Sequence, residues 1–458
     1  MNRTIGGGTA GGANLLALRS HNTALVLDLL RGAGAGGISR LELAERTGLT
    51  PQAVSKITAR LRGEGLAAEA GRRASTGGKP RTVLRLVPGA GHALGVHLDR
   101  DELRAVLVDL DGTVVAERRA PLDLGAGAET VLEGVARAAE ELAAEGLAPA
   151  VPQDAGARPP GGALAAAPTL LGLGAALPGP LDHVRGVLHR VTGFPEWDGY
   201  PLRDALERRL GVPVVVDKDT NAAALGLAVG GAGNEESGGG AGAGSFAYLH
   251  LGTGLGAGLV FGGGVHRGAR TGAGEFGHQV VQLDGPPCTC GARGCIEALC
   301  LAAVARGDLA EAARVLGTGA ANLAGLLDID QVLLGGRTVA AAPEAFVHGV
   351  GAVLDARARR EGGHDGAVPV RLAPGGPRGV AEGAAQLLLA PLFGRGTAAE
   401  TGRRRQAPPV TRVCGHPCVD YPNGQAPGGP GPRPLRDSRA RARAEAARRQ
   451  GADRPSRR

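Results

Sequence analysis

His278 and the run Cys288-Thr-Cys290-Gly-Ala-Arg-Gly294-Cys295 place one imidazole and three thiols in a single short stretch. Together they supply the four ligands of a closed tetrahedral zinc site. Such a site has no open position for water, so the metal is expected to be structural, not catalytic. The competing reading is a set of free buried thiols. Cysteine is scarce, six in the whole chain, yet three fall within eight residues beside glycines that permit tight turns. That concentration favours the metal. A second grouping, Cys414-x-His416-x-Cys418, has an incomplete ligand count and carries little weight.

Other elements must hold this stretch in place. Tyr248–Leu251 reads as a strand, followed by glycine at alternate positions, Gly252, Gly254, Gly256 and Gly258. Gly252-x-Gly254-x-x-Ala257 fits a dinucleotide fingerprint in form. However, Leu259-Val-Phe261 continues as a strand where that fingerprint demands a helix, and there is no Walker lysine. A strand-turn-strand phosphate loop fits better.

In order along the chain, this glycine loop, Gly274-Glu275-x-Gly277-His278 and Cys288-x-Cys290-Gly-x-x-Gly294-Cys295-x-Glu297 resemble the signature of the ROK family. That family contains bacterial sugar-responsive repressors and sugar kinases. The resemblance implies an α/β body of two lobes with an actin-like (ribonuclease H-like) sugar kinase fold. It implies zinc on His278, Cys288, Cys290 and Cys295, and sugar contacts from Glu275, His278 and Glu297. Carboxylates and imidazole suit that role, because they accept hydrogen bonds from sugar hydroxyls. Val212–Val216 reads as a strand leading into Asp217-Lys218-Asp219-Thr220-Asn221. Here the resemblance implies sugar contacts from Asp219 and Asn221, with Lys218 standing where the family usually has asparagine. The kinases of the family use the aspartate matching Asp219 as general base. Asp219 also reads as the cap of a helix that begins near Asn221.

The N-terminal part follows a different logic. Asn22 caps a helix running to about Arg31, Ser39 with Glu42 forms a capping box that opens a second, and Gly48 ends it. Thr50 caps a third helix, with Pro51 at its first position. Val54, Ile57 and Leu61 share one face, which leaves Gln52, Ser55 and Lys56 free to point outward. Leu66–Ala70 and Thr82–Val87 read as strands joined by a loop holding Arg72, Arg73, Lys79 and Arg81. This is a winged helix-turn-helix, an arrangement that lays its last helix in a DNA major groove. Gly77-Gly78-Lys79-Pro80-Arg81 resembles the small basic hooks that enter minor grooves. The expected contacts to double-stranded operator DNA are Thr50, Gln52, Ser55, Lys56, Arg72, Arg73, Lys79 and Arg81. A small helical domain with a solvated basic face is the alternative, and the caps, turn and wing falling in register argue against it.

Charge points the same way. Residues 1–88 carry 13 Lys/Arg against 5 Asp/Glu, and residues 401–458 carry 14 against 4. The whole chain is only +7, so the middle is acidic. A basic head on an acidic body argues that the head meets a polyanion. The Pro/Gly/Arg-rich tail, 396–458, cannot form a core; it is either a DNA-adhesive arm or an extension without a selected role. The N-terminus does not read as a signal peptide, and no apolar run is long enough to span a bilayer. Clustered cysteines suit a reducing cytoplasm.

The body alternates strands and helices. Strands are expected at His92–Leu98, Leu103–Asp109, Thr113–Glu117 and Leu170–Leu177, and helices at Thr130–Leu142 and Arg203–Leu210. Beyond Cys300 one helical stretch is expected to about Leu316. A strand follows at Gln331–Leu334, ending in Gly335-Gly336, and a closing helix at Gly379–Leu389. The domains are then a winged head (1–88), a first lobe (89–215), a second lobe with the metal element and closing helix (216–395) and a disordered basic tail (396–458).

Two function classes compete: a sugar-sensing, DNA-binding regulator, expected to act as a dimer, and an ATP-dependent sugar kinase. Kinases of the resembled family carry an Asp and then Gly-Gly-Thr at the first strand turn. Here the matching positions are His97, Asp99, Arg100 and Asp101. Their side chains fill the space glycine would leave, and two carboxylates would face phosphates of the same sign. The reading is therefore a DNA-binding regulator of carbohydrate metabolism genes, with the kinase as the alternative, and no residue is assigned a catalytic role. A constitutive architectural DNA binder would not need an intact sugar face.

Overall fold

The computed structural model describes residues 21–73, 81–147, 169–191, 193–230, 244–362 and 367–395. The head comprises α1 (His21–Ala33), β1 (Ile38–Ser39), α2 (Arg40–Thr47), α3 (Pro51–Gly63), β2 (Ala67–Arg73) and β3 (Arg81–Leu86). Ser39 Oγ accepts from Glu42 N while Glu42 Oε2 accepts from Ser39 N, which closes the capping box. Gly48 ends α2 in the left-handed region at φ 69°. Thr50 Oγ1 accepts from Ala53 N, with Pro51 opening α3. One local expectation fails: α1 already includes Asn22, which is therefore a helical residue and not its cap. β1, β3 and β2 form the wing sheet, in that order. Residues 74–80, with Lys79 and most of the basic hook, lie outside the described residues.

The first lobe contains β4 (Gly91–Leu98), β5 (Glu102–Asp109), β6 (Val114–Pro121), α4 (Ala128–Gly146), β7 (Thr169–Leu177), the hairpin β8 (Leu181–Asp182) and β9 (Val187–Leu188), α5 (Leu202–Leu210) and β10 (Val214–Lys218). Its sheet has the order β10-β7-β4-β5-β6. β4 to β6 form an antiparallel meander, and β7 and β10 add in parallel. The expected lobe boundary at 215/216 falls inside β10.

The second lobe follows α6 (Asp219–Val229). It contains β11 (Phe246–Leu251), β12 (Leu255–Phe261), β13 (Gly264–Val265), α7 (Ile296–Ala305), α8 (Leu309–Leu327), β14 (Gln331–Gly335), α9 (Arg337–Ala341), α10 (Pro343–Glu361), β15 (Val370–Leu372) and α11 (Gly379–Leu389). The sheet order is β13-β12-β11-β14-β15. The single helix expected beyond Cys300 is two helices: Gly307 takes φ 74°, and Asp308 then caps α8 by accepting from Glu311 N. α10 is a 19-residue helix that the sequence reading did not anticipate.

α4 and α5 cover the outer face of the first sheet, and α7, α8 and α10 that of the second. α6 and α11 lie between the two sheets. Small residues make this middle layer thin. A Cβ on Gly174 of β7 would lie 1.9 Å from Ala384 O of α11, so only glycine lets the helix backbone rest on the sheet. This is a two-lobed, actin-like α/β body behind a winged helix-turn-helix.

The head does not hang on a free linker. Val26, Leu30 and Leu43 share one apolar cluster with Val106, Ala385, Leu389 and Phe393 of the body. The Arg31 guanidinium lies 4.8 Å from the centroid of the Phe393 ring and donates to Asp111 O at 2.9 Å. Arg395, just beyond α11, forks onto Asp28 of α1 at 2.8 and 3.2 Å. The head therefore rests on the C-terminal end of α11.

Candidate functional site

The loop between β13 and α7 gathers the four expected metal ligands. Ligand atoms of His278, Cys288, Cys290 and Cys295 all lie within 4.8 Å of one another. Cys288 Sγ is 3.7 Å from His278 Nδ1, and Cys290 Sγ is 3.7 Å from Cys295 Sγ. A tetrahedron with metal–sulfur bonds of about 2.3 Å has sulfur–sulfur edges of about 3.8 Å, so the set fits zinc. The loop backbone is shaped for it. Gly294 sits at φ 66°, and a Cβ there would lie 1.6 Å from Gln282 O. Burial pushes the Cys295 thiol up to about 12, so an adjacent cation is what would keep it as the thiolate a metal binds. The group can hold a metal ion, and the His/Cys composition suits zinc.

Cys295 is the N-cap of α7, so the same loop aims Glu297. Glu297 is buried, and its Oε2 accepts from Leu255 N at 2.8 Å, locking it to the glycine turn between β11 and β12. Together with Asp219, Glu275 and His278, it lines a cavity between the lobes. Asp219 lies at the β10–α6 junction, where Oδ1 accepts from Thr220 N at 2.6 Å. Its carboxyl opens on the cavity yet lies deep in the protein, and desolvation raises its pKa to about 7. The cavity measures about 70 Å³. Ligand pockets typically run to about 300 Å³ or more, so in this structure the cavity is smaller than a usual ligand pocket.

Asn221 is not brought to this cavity. α6 begins at Asp219, so Asn221 lies about 200° further round the helix. It is buried, and its Nδ2 donates to Asp217 Oδ1 at 3.0 Å. Nor does Asp219 cap α6; Lys218 occupies the N-cap position, without a side-chain cap bond. Among the residues outside the expected set that line the cavity are two cations, Lys218 and Arg100. Buried Lys218 donates through Nζ to Ala273 O at 2.7 Å and to Glu275 Oε1 at 3.2 Å. Arg100 enters from the turn after β4. Lys218 was visible in sequence only as a substitution, and Arg100 only as bulk in a turn.

That turn also meets the second lobe. Asp99 Oδ1 accepts from Thr253 Oγ1 at 2.7 Å, and Arg337 forks onto Asp101. Burial opposes ionisation of Asp99, but His97, the Thr253 hydroxyl, the Arg100 amide and Arg337 together hold its carboxyl below the usual range. Asp99 and His250 also wall a larger cavity of about 1190 Å³, bounded by Gly335, Gly336 and Arg337. Buried His97 on the same wall is pushed down to about 4, chiefly by desolvation.

On the head, Thr50, Gln52, Ser55 and Lys56 are exposed at the start of α3, and Arg72 and Arg81 are exposed on the wing strands. Arg73 is already engaged: Nη1 donates to Glu42 Oε1 at 2.9 Å and Nη2 to Gly37 O at 3.1 Å. Among the described residues, no helix is long and apolar enough to cross a membrane.

Fold and cleft together define a winged-helix protein with an actin-like, two-lobed body. Residues 162–306 match the model of the ROK family. The xylose repressor of Bacillus subtilis (strain 168) is 28% identical over 263 residues, 57% of this chain and 61% of that protein. The DNA-binding transcriptional dual regulator NagC of Escherichia coli (strain K12) is 30% identical over 293 residues, 64% of this chain and 65% of that protein. The crystal structure of a ROK family transcriptional regulator, a homolog of the E. coli MLC protein, superposes with a TM-score of 0.62. It covers 82% of this chain and 97% of that chain at 21% identity, which speaks for the fold. By this partial match and these relatives the chain is similar to ROK family proteins. It spans about three fifths of the length of the xylose repressors it matches.

Proposed function

We propose that the protein is a DNA-binding transcriptional regulator, a repressor of carbohydrate metabolism genes, that senses a sugar or sugar derivative in the cleft between its lobes. One observation carries the reading: a capped recognition helix and a carboxylate-lined cleft are joined through α11. Asp219 opens α6, α6 packs on α11, and the far end of α11 carries the head through Phe393 and Arg395. Glu275, Glu297 and Asp219 accept hydrogen bonds from sugar hydroxyls, and His278, with one ring nitrogen given to the metal, donates through its remaining ring N–H. Zinc on His278, Cys288, Cys290 and Cys295 supplies a rigid crosslink that keeps Glu297 aimed at the cleft.

In this mechanism a homodimer sets two α3 helices on a palindromic operator. Thr50, Gln52, Ser55 and Lys56 meet base edges and nearby phosphates, and Arg72 and Arg81 meet the backbone. Sugar entry changes how the lobes close, α11 shifts with α6, and the spacing of the heads changes. The Arg337–Asp101 contact at the first turn supports a regulator over an ATP-dependent sugar kinase. A cytoplasmic location follows from the operator as partner. The test is a thermal-shift screen of the purified chain against sugars and amino sugars, followed by operator titration. A sugar that both stabilises the chain and shifts operator affinity is the expected result. Stabilisation without any effect on the operator, or no sugar response, counts against it.

A further inference from the structure

We infer that the effector is an anionic sugar, carrying a carboxylate or a phosphate monoester, and that Arg100 reads the anionic group. This rests on the sugar-sensor reading and names the ligand class. The other charges of the cavity already have partners. Lys218 is on Glu275, Asp99 is on Thr253 and Arg337, Glu297 holds Leu255 N, and Asp219 holds Thr220 N. The Arg100 guanidinium makes no hydrogen bond or ion pair with any described residue. It is carried 5.7 Å from the centroid of the Phe194 ring, a cation–π contact that holds it at the cavity wall without consuming its donors.

The space in front of it is shared with the carboxylate face. A Cβ built on Gly254 would lie 3.1 Å from Glu297 Oε2 and 3.5 Å from Arg100 Nη2. One ligand seated against this glycine therefore reaches both a hydroxyl acceptor and a guanidinium. Lys218 borders a different part of the wall, beside Gly179, where a Cβ would meet its Cδ at 2.8 Å. A neutral sugar satisfies the carboxylates and leaves Arg100 unanswered. A carboxylate or phosphate on the same sugar accepts two parallel N–H bonds from its fork, about twice the strength of neutral ones.

The test is calorimetric titration of the full chain with matched sets: glucose, glucuronate and glucose 6-phosphate; galactose, galacturonate and galactose 6-phosphate; N-acetylglucosamine and its 6-phosphate. In at least one set an anionic member should bind about tenfold more tightly than its neutral parent, which corresponds to about 1.4 kcal/mol. Whether the uronate or the phosphate wins identifies the group. Arg100→Gln should collapse that ratio towards one, and Arg100→Lys, which keeps the charge without the fork, should retain part of it. Neutral parents binding as tightly as their anionic partners in every set overturns the proposal and leaves the sensor reading standing. A preference that survives Arg100→Gln overturns the role of Arg100. If no sugar of either kind binds, both readings fall.

Discussion

Arg337 Nη1 and Nη2 lie 2.9 and 2.6 Å from the two carboxylate oxygens of Asp101, and Nη2 lies 3.4 Å from Asp99. This fork joins the first turn of one lobe to the start of α9 in the other. Both Arg337 and Asp101 are well exposed, so the pair contributes only about 0–1 kcal/mol to stability. Its larger effect is on what enters. A phosphate about 4 Å from the Asp101 carboxylate would be repelled by about 4 kcal/mol, and Arg337, on this side of the turn, is already engaged; Arg100 lines the other side, facing the cavity. With ATP, magnesium and a sugar that binds, the protein should release no sugar-dependent ADP. Turnover of roughly one per second or more would overturn the regulator reading.

The metal loop predicts a coupled loss. Metal analysis of the purified chain should give about one zinc, as four protein ligands require. Cys290→Ser should lower the melting temperature by several degrees and weaken the sugar response together, because Cys295 anchors the helix that carries Glu297. A metal-free protein that keeps both properties contradicts this.

DNA affinity should fall steeply with salt, as counterion release requires. Gln52→Ala with Lys56→Ala should cost about 1–3 kcal/mol on the preferred operator and relax sequence preference. Arg72→Ala should weaken all sequences similarly. Arg73→Ala should act mainly through the stability of the head, since its guanidinium is held by Glu42 and Gly37. Fluorescence titrations at several salt concentrations separate these cases, and salt-independent binding would count against the interface.

Much of this was legible where local chemistry decides. The Ser39–Glu42 box, Gly48 and the Thr50-Pro51 start are rules of the chain within four residues, and they fix the head. The metal group was legible because its ligands share one loop. Asn221 was misplaced because its position depends on where α6 starts, and a shift of two residues turns the side chain from cleft to core. α10 left a faint trace because only Phe346, Val350 and Leu354 of its 19 residues are buried apolar anchors. Contacts between distant segments, such as Arg337 with Asp101 or Arg100 with Phe194, have no local signal at all.

Asp219 sets a pH dependence. Burial raises its folded pKa to about 7, against an ordinary value of 3.8. Between those values the folded chain holds a proton that the unfolded chain has released. Its contribution to stability is therefore greatest at low pH, declines as pH rises to about 7, and is level above that. Affinity for a sugar whose hydroxyl donates to the ionised carboxylate should increase from pH 6 to pH 8. Asp219→Asn should flatten this part of the profile in calorimetry, and an unchanged profile would remove Asp219 from the contact.

The central claim is that cleft and operator communicate through α11 and the head contacts of Arg395 and Arg31. Such coupling is reciprocal and typically amounts to about 1–3 kcal/mol, or roughly 5- to 150-fold. The most direct measurement is operator titration of the full chain with and without a sugar already shown to bind by calorimetry. The account predicts weaker operator binding with sugar, an equal weakening of sugar binding by operator, and a smaller effect in Arg395→Ala. Operator affinity unchanged by saturating sugar would contradict it.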